Sequence, residues 1–111
     1  MMPAAVAARV VSNGRGRDVL IYSDVLQEEL SRRWSMNMRR CAIRLKVAAT
    51  GEVLTAEASV ALKSGRYYIY PRGAAQQVLR LYYERYREGR QRRPLPLLIE
   101  ELAFAQEAAA Q

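Results

Sequence analysis

The chain contains no histidine and a single cysteine, Cys41. The missing histidine removes the usual general base, the usual zinc ligand and every histidine-dependent triad. A lone cysteine has no internal disulfide partner and forms no cysteine pair for a metal, and its place in an alternating segment predicts burial as a small apolar side chain. No apolar run approaches the ~20 residues of a membrane span. Met1 to Ala8 lacks the leading charge cluster and the apolar stretch of a signal peptide. The expectation is a cytoplasmic protein with no cofactor, no metal and no membrane partner. The phosphate-cradling pattern GxxxxGK[ST] is also missing, so the glycine-arginine stretch Asn13 to Arg17 is not a nucleotide-binding loop. Near the central strands the carboxylates are Glu52, at a turn, and Glu57, expected opposite Arg44, which is not a paired acid–base arrangement. The sequence reads as a non-enzyme.

What the chain has is positive charge. Its 111 residues suit one domain, and they carry 18 basic against 11 acidic groups, a net +7. Sixteen of the cations are arginine, which forks phosphate and stacks on bases where lysine acts as a point charge. A codon bias towards arginine is the bland alternative. Every base lies before residue 95, whereas 95–111 holds Glu100, Glu101 and Glu107 and no base. The chain therefore divides into a basic α+β body, 1–93, with an anionic partner, and an acidic C-terminal helix, 94–111, that either pairs with a copy of itself or packs back on its own domain.

Residues 5–11 and 18–22 predict short strands around an Asn13-Gly14 turn. Ser23-Asp24 opens a helix capped by Asp24, with Leu26, Leu30 and Trp34 on one stripe. Met38 to Ala49, Glu52 to Lys63 and Arg66 to Tyr70 alternate, joined by two-residue turns at Thr50-Gly51 and Ser64-Gly65. The resulting pairs are Val47–Leu54, Leu45–Ala56, Ile43–Ala58, Leu62–Tyr67 and Val60–Ile69, apolar against apolar each time. A helix over Ala74 to Glu88 follows, stopped by Gly89, with Val78, Leu81, Tyr82, Arg85 and Tyr86 as its stripe. Pro94 and Pro96 predict a linker, and Leu97 to about Ala109 a last helix. The order is ββ-α-βββ-α-α: an α+β fold with an antiparallel sheet of about four to five strands, helices packed on one face, and a C-terminal helix.

The three central strands have one greasy face and one face of arginine, lysine and tyrosine. Extended single strands bind where aromatic rings stack on bases and cations follow the phosphates. Arg40, Arg44, Lys46, Lys63 and Arg66 are expected to hold the backbone, Tyr68 and Tyr70 to stack, and Arg72 to add a cation past the last strand. Arg15 and Arg17 of the glycine-arginine loop are placed to close over the strand. Against this, the tyrosines could pack beneath a helix and the loop could be a plain turn. Trp34 could stand at a cleft edge or in the core, and Tyr83 and Arg87 could line a cleft. The expected function is sequence-tolerant binding of single-stranded nucleic acid, DNA before RNA. The alternative is an assembly or adaptor module without direct nucleic-acid binding.

The sheet of Met38 to Tyr70, the helix of Leu79 to Arg87 beside it and the tail of Leu95 to Leu102 together resemble the ThermoDBP family, single-stranded DNA-binding proteins of thermophilic archaea. That resemblance implies a cleft with a hydrophobic floor and basic rims, and a homo-oligomer made through the C-terminal helix.

Overall fold

A period-two pattern of apolar side chains governs most of the chain, and in the computed structural model, which describes residues 4–14 and 16–104, it extends further than the sequence reading allowed. The elements are β1 (Val6–Ser12), β2 (Val19–Tyr22), α1 (Gln27–Ser35), β3 (Arg40–Val47), β4 (Val53–Lys63), β5 (Arg66–Pro71), α2 (Ala74–Arg90) and β6 (Leu95–Phe104). The six strands close into a barrel in the order β1-β2-β5-β4-β3-β6, antiparallel at every seam. The open sheet of four to five strands with helices on one face does not form.

The overturning element is β6. Leu95, Leu97 and Ile99 point inward and are almost fully buried. Leu45 then faces Ile99 while Arg44 faces Glu101, so Glu100 is an extra residue on β6. This bulge resets the alternation and returns Leu102 and Phe104 to the interior. The helix expected from Leu97 is therefore strand through Phe104, and 105–111 lies outside the described residues. Pro96, expected in a linker, sits on the outer face of β6, with its carbonyl accepting the Ala48 N–H at 3.2 Å.

The β4–β5 hairpin forms with the expected pairs, Leu62 with Tyr67 and Val60 with Ile69. Its turn residues Ser64 and Gly65 both have positive φ, 50° and 76°, the twist that a two-residue hairpin needs. The β3–β4 hairpin differs. Its loop is Ala48 to Gly51, held by the Gly51 N–H on the Val47 carbonyl at 2.7 Å and the Val47 N–H on Glu52 at 2.9 Å. Leu45 consequently faces Leu54, Ile43 faces Ala56 and Cys41 faces Ala58. A slip of two residues preserves which side chains face inward, but it moves Arg44 opposite Thr55 instead of Glu57.

The helices close the two ends. α1 packs on β4 and β5 and inserts Leu30, while α2 packs on β1, β2, β4 and β6 and inserts Leu79, both fully buried in the same core. One glutamine per helix is bonded to strand backbone. Gln27 Nε2 donates to the Ser23 and Tyr67 carbonyls at 3.0 and 2.8 Å, and its Oε1 accepts the Tyr67 N–H at 2.9 Å. Gln76, itself buried, accepts the Val19 N–H at 2.7 Å and donates to the Val19 and Pro71 carbonyls at 3.1 and 2.8 Å. α1 begins after Leu26 without the side-chain cap expected from Asp24. α2 runs through Gly89 to a left-handed Gln91 and buries Ala75, Gln76, Leu79 and Tyr83, whereas Leu81, expected on the stripe, is 57% exposed.

Ile99→Ala should cost about 2–5 kcal/mol in urea unfolding, the range for emptying a packed core site. A chain ending at Arg93 should show no cooperative transition, because β1 and β3 lose their shared neighbour. An unchanged midpoint in the first, or a cooperative transition in the second, would contradict the place of β6 in the barrel wall.

Candidate nucleic-acid interface

The interior is filled by apolar side chains and both ends are plugged, so the surface that can form a site is the outer wall. On β5, Tyr68 and Tyr70 alternate with the buried Ile69 and Pro71 and so face outward. Tyr22 on β2 joins them, with its ring centre 5.4 Å from that of Tyr68 and the planes tilted by 53°. Arginines lie over these rings. The Arg9 guanidinium is 4.6 Å from the centre of Tyr22, that of Arg66 is 6.0 Å from the same ring, and that of Arg72 is 5.4 Å from Tyr70. Tyr22 is only 7% exposed although it is on the outside, since its neighbours cover it.

Two carboxylates act on the phenols. Tyr70 donates its hydroxyl to Asp18 Oδ2 at 2.5 Å, and this bond, with burial second, raises the Tyr70 pKa above its ordinary 10.0. Hydrogen bonding with Asp24, then burial, raises that of Tyr22 in the same way. Asp24 also lies 3.7 Å from Arg9. The cluster is cationic on balance, as Arg66 and Arg72 have no carboxylate partner among the described residues.

Of the residues expected from sequence, Arg66, Tyr68, Tyr70 and Arg72 come together here. Arg40 joins them from β3: it faces Ser59, whose hydroxyl takes a bond from Arg72 at 3.1 Å, and Arg40 and Arg72 border one cavity of 260 Å³. Others do not join. Arg44 is held by Glu100 at 3.4 Å and Glu101 at 3.0 Å. Lys46 lies between Val53 and Leu98 in the outer wall. Lys63 donates to the Asn13 carbonyl and holds the β1–β2 turn, where a Cβ on Gly14 would lie 3.1 Å from its Nζ. Arg17 lies against α2 in a cavity of 170 Å³ shared with Gln77, Arg80 and Glu84. Arg15 lies outside the described residues.

Trp34 packs partly buried under Arg39, whose guanidinium is 3.4 Å from its ring centre, and Tyr83 is buried beneath Arg87. Neither lines a cleft. Arg9 and Tyr22 were not anticipated. Their signal was the pairing of β1 with β2, which sets Arg9 opposite Tyr22, but an all-apolar Val19–Tyr22 strand hides which of its side chains face out.

No group of His, Cys, Asp and Glu able to hold a metal occurs among the described residues, and none of their helices is long and apolar enough to cross a membrane. Comparison with protein-family models, with curated proteins and with solved structures found no match in any of the three.

Burial pushes the Cys41 thiol from 9.0 up to about 12. A native chain should therefore resist an aromatic disulfide at mildly alkaline pH and react promptly once unfolded. Because the folded value is the higher one, stability from the neutral thiol is whole below 9.0 and is lost as pH climbs towards 12. Asp18→Asn should return the Tyr70 titration towards 10.0, read by NMR of ring-labelled tyrosine; an unmoved titration would show that the hydrogen bond does not set it.

Proposed function

We propose that the protein binds single-stranded nucleic acid in a sequence-tolerant manner on the outer wall of β1, β2, β4 and β5, with DNA as the first substrate to test and the cytoplasm as its compartment. The observation that carries this reading is the arginine-covered tyrosine cluster of Tyr22, Tyr68 and Tyr70 on the outside of a barrel whose interior is already full. It stands on that face and not on the ThermoDBP resemblance.

The energetics favour an exchange. A guanidinium over an exposed ring contributes ~0.5–1 kcal/mol. A base stacked on the same ring contributes ~1–3 kcal/mol. A base that displaces Arg72 from the half-buried Tyr70 gains the stronger contact, and the freed guanidinium can fork a phosphate, as can Arg66 beside the buried Tyr22. The Tyr70 hydroxyl, held by Asp18, keeps that ring in place meanwhile. Duplex DNA fits less well, because neither α1 nor α2 is a free helix for a major groove.

The test is titration of labelled oligothymidylate and of duplex DNA at two salt concentrations. Single strands should bind more tightly, and Arg66→Ala or Arg72→Ala should each reduce the salt slope by ~0.7. Tyr68→Ala should weaken binding by ~1–3 kcal/mol with the slope unchanged. Lys46→Ala, remote from the cluster, should leave affinity almost unaltered. No single-strand binding below ~10 μM at low salt would end the proposal.

A further inference from the structure

Beside the tyrosine cluster, the barrel wall carries a trough. Two adjoining cavities, of 260 and 480 Å³, share Ala42, Glu57 and Ala103; the larger is within the ~300–1,000 Å³ of small-ligand sites. The floor is low because Ala42 of β3 sits between Glu57 of β4 and Ala103 of β6 in register. Arg40 and Arg72 border one end, and at the other Arg44 is held against Glu101. Glu57 is exposed, and its carboxylate has no ion pair or hydrogen bond among the described residues. Its backbone is fixed, since its carbonyl accepts the Arg72 N–H at 2.9 Å.

We infer that the trough is a base-reading subsite of the same single-strand path, an inference that rests on the function proposed above. Ala42 and Ala103 would seat one nucleobase, Arg40 and Arg72 would hold its flanking phosphates, and Glu57 would meet its Watson–Crick edge. A bare carboxylate among phosphate-binding cations weakens the hold on the backbone, and only a donor on the ligand offsets that loss. Being an acceptor only, it selects among bases by their N–H groups. Guanine presents its ring N1–H and its amino N–H side by side, matching both carboxylate oxygens. Cytosine and adenine present one amine beside an acceptor nitrogen. Thymine and uracil present one N–H between two carbonyl oxygens, which the carboxylate repels. The subsite should therefore prefer guanine and reject thymine, adding one base preference to an otherwise sequence-tolerant surface.

The experiment titrates the full chain with labelled single strands of about 15 nucleotides, near the upper site size of small single-strand-binding folds. One is all thymidine, one carries guanine at every third position, and one carries hypoxanthine there, which lacks the amino group. The guanine strand should bind about fivefold more tightly than the thymidine strand, the low end of what a bidentate pair confers, with the hypoxanthine strand between them. Glu57→Gln should remove the preference while thymidine binding holds or strengthens. Ala42→Phe, which fills the trough from an exposed position, should bring the ratio of guanine-strand to thymidine-strand affinity to about one. Equal, measurable binding of all three strands by the native chain would overturn the subsite and leave the single-strand reading standing; no binding of any strand would overturn both. A preference that survives both substitutions would also overturn the assignment to Glu57.

Discussion

The constraint on which everything else depends is the double pairing of β6. It is antiparallel to β3 on one side and to β1 on the other, and that leaves the sheet without an edge. Once the wall is closed, strand alternation becomes a strict division between an apolar interior and a polar exterior. Each inward position on β3 is matched by one on β6, Leu45 by Ile99 and Ile43 by Leu102. The bulge at Glu100 is the device that keeps this match along a ten-residue strand. It also places Glu100 and Glu101 together against Arg44, so the closure that builds the core also neutralises one of the cations on the outer wall.

Closure leaves two open mouths, and the helices fill them. A helix laid across the end of a barrel must satisfy the strand-end backbone groups that it takes out of water. Gln76 does this for Val19 and Pro71, and Gln27 for Tyr67 and Ser23. A glutamine offers an acceptor and two donors at the end of a flexible stem, so one side chain can stand in for a missing strand residue. With Leu30 and Leu79 beneath them, the plugs leave the interior to side chains, and chemistry is left to the outer wall.

Much of this was legible in the sequence, and the failures have physical causes. The alternation of Arg40 to Val47 and of Arg66 to Tyr70 marked the inward residues, and Ser64-Gly65 set one hairpin to the residue. The Thr50-Gly51 loop holds four residues where two were expected. Pairing shifted by two, but because the shift is even, no side chain changed face. β6 was misread because Leu98, Leu102 and Ala105 fit a helical period, while the bulge at Glu100 interrupts the alternation that Leu95, Leu97 and Ile99 begin. The two prolines reinforced the error, although a proline on the outer face of a strand beside a turn is compatible with pairing. At the site, Tyr68, Tyr70, Arg66, Arg72 and Arg40 were visible as one face of the meander. Arg44 was expected opposite Glu57, but its carboxylate partners lie on a strand that had been read as a helix.

That last point bears on how an arginine-rich chain should be interpreted. Composition cannot tell a cation that folds the protein from one that binds a partner; carboxylate placement can. Arg32 and Arg33 are held by Glu29 on α1, and Arg44 by Glu100 and Glu101 on β6. Arg40, Arg66 and Arg72 have no such partner among the described residues, and they cluster on the wall that carries the outward tyrosines. An ion pair in solvent contributes ~0–1 kcal/mol, too little to explain the arginine excess through stability alone. Of these, Arg66 and Arg72 lie over aromatic rings, which preorients their guanidiniums. Such groups lose less conformational freedom when they meet a phosphate than free side chains would. The acids of β6 thus help to define the candidate site by exclusion: they withdraw Arg44, one of the cations expected to hold the backbone, and leave that task to the cations without a carboxylate partner among the described residues.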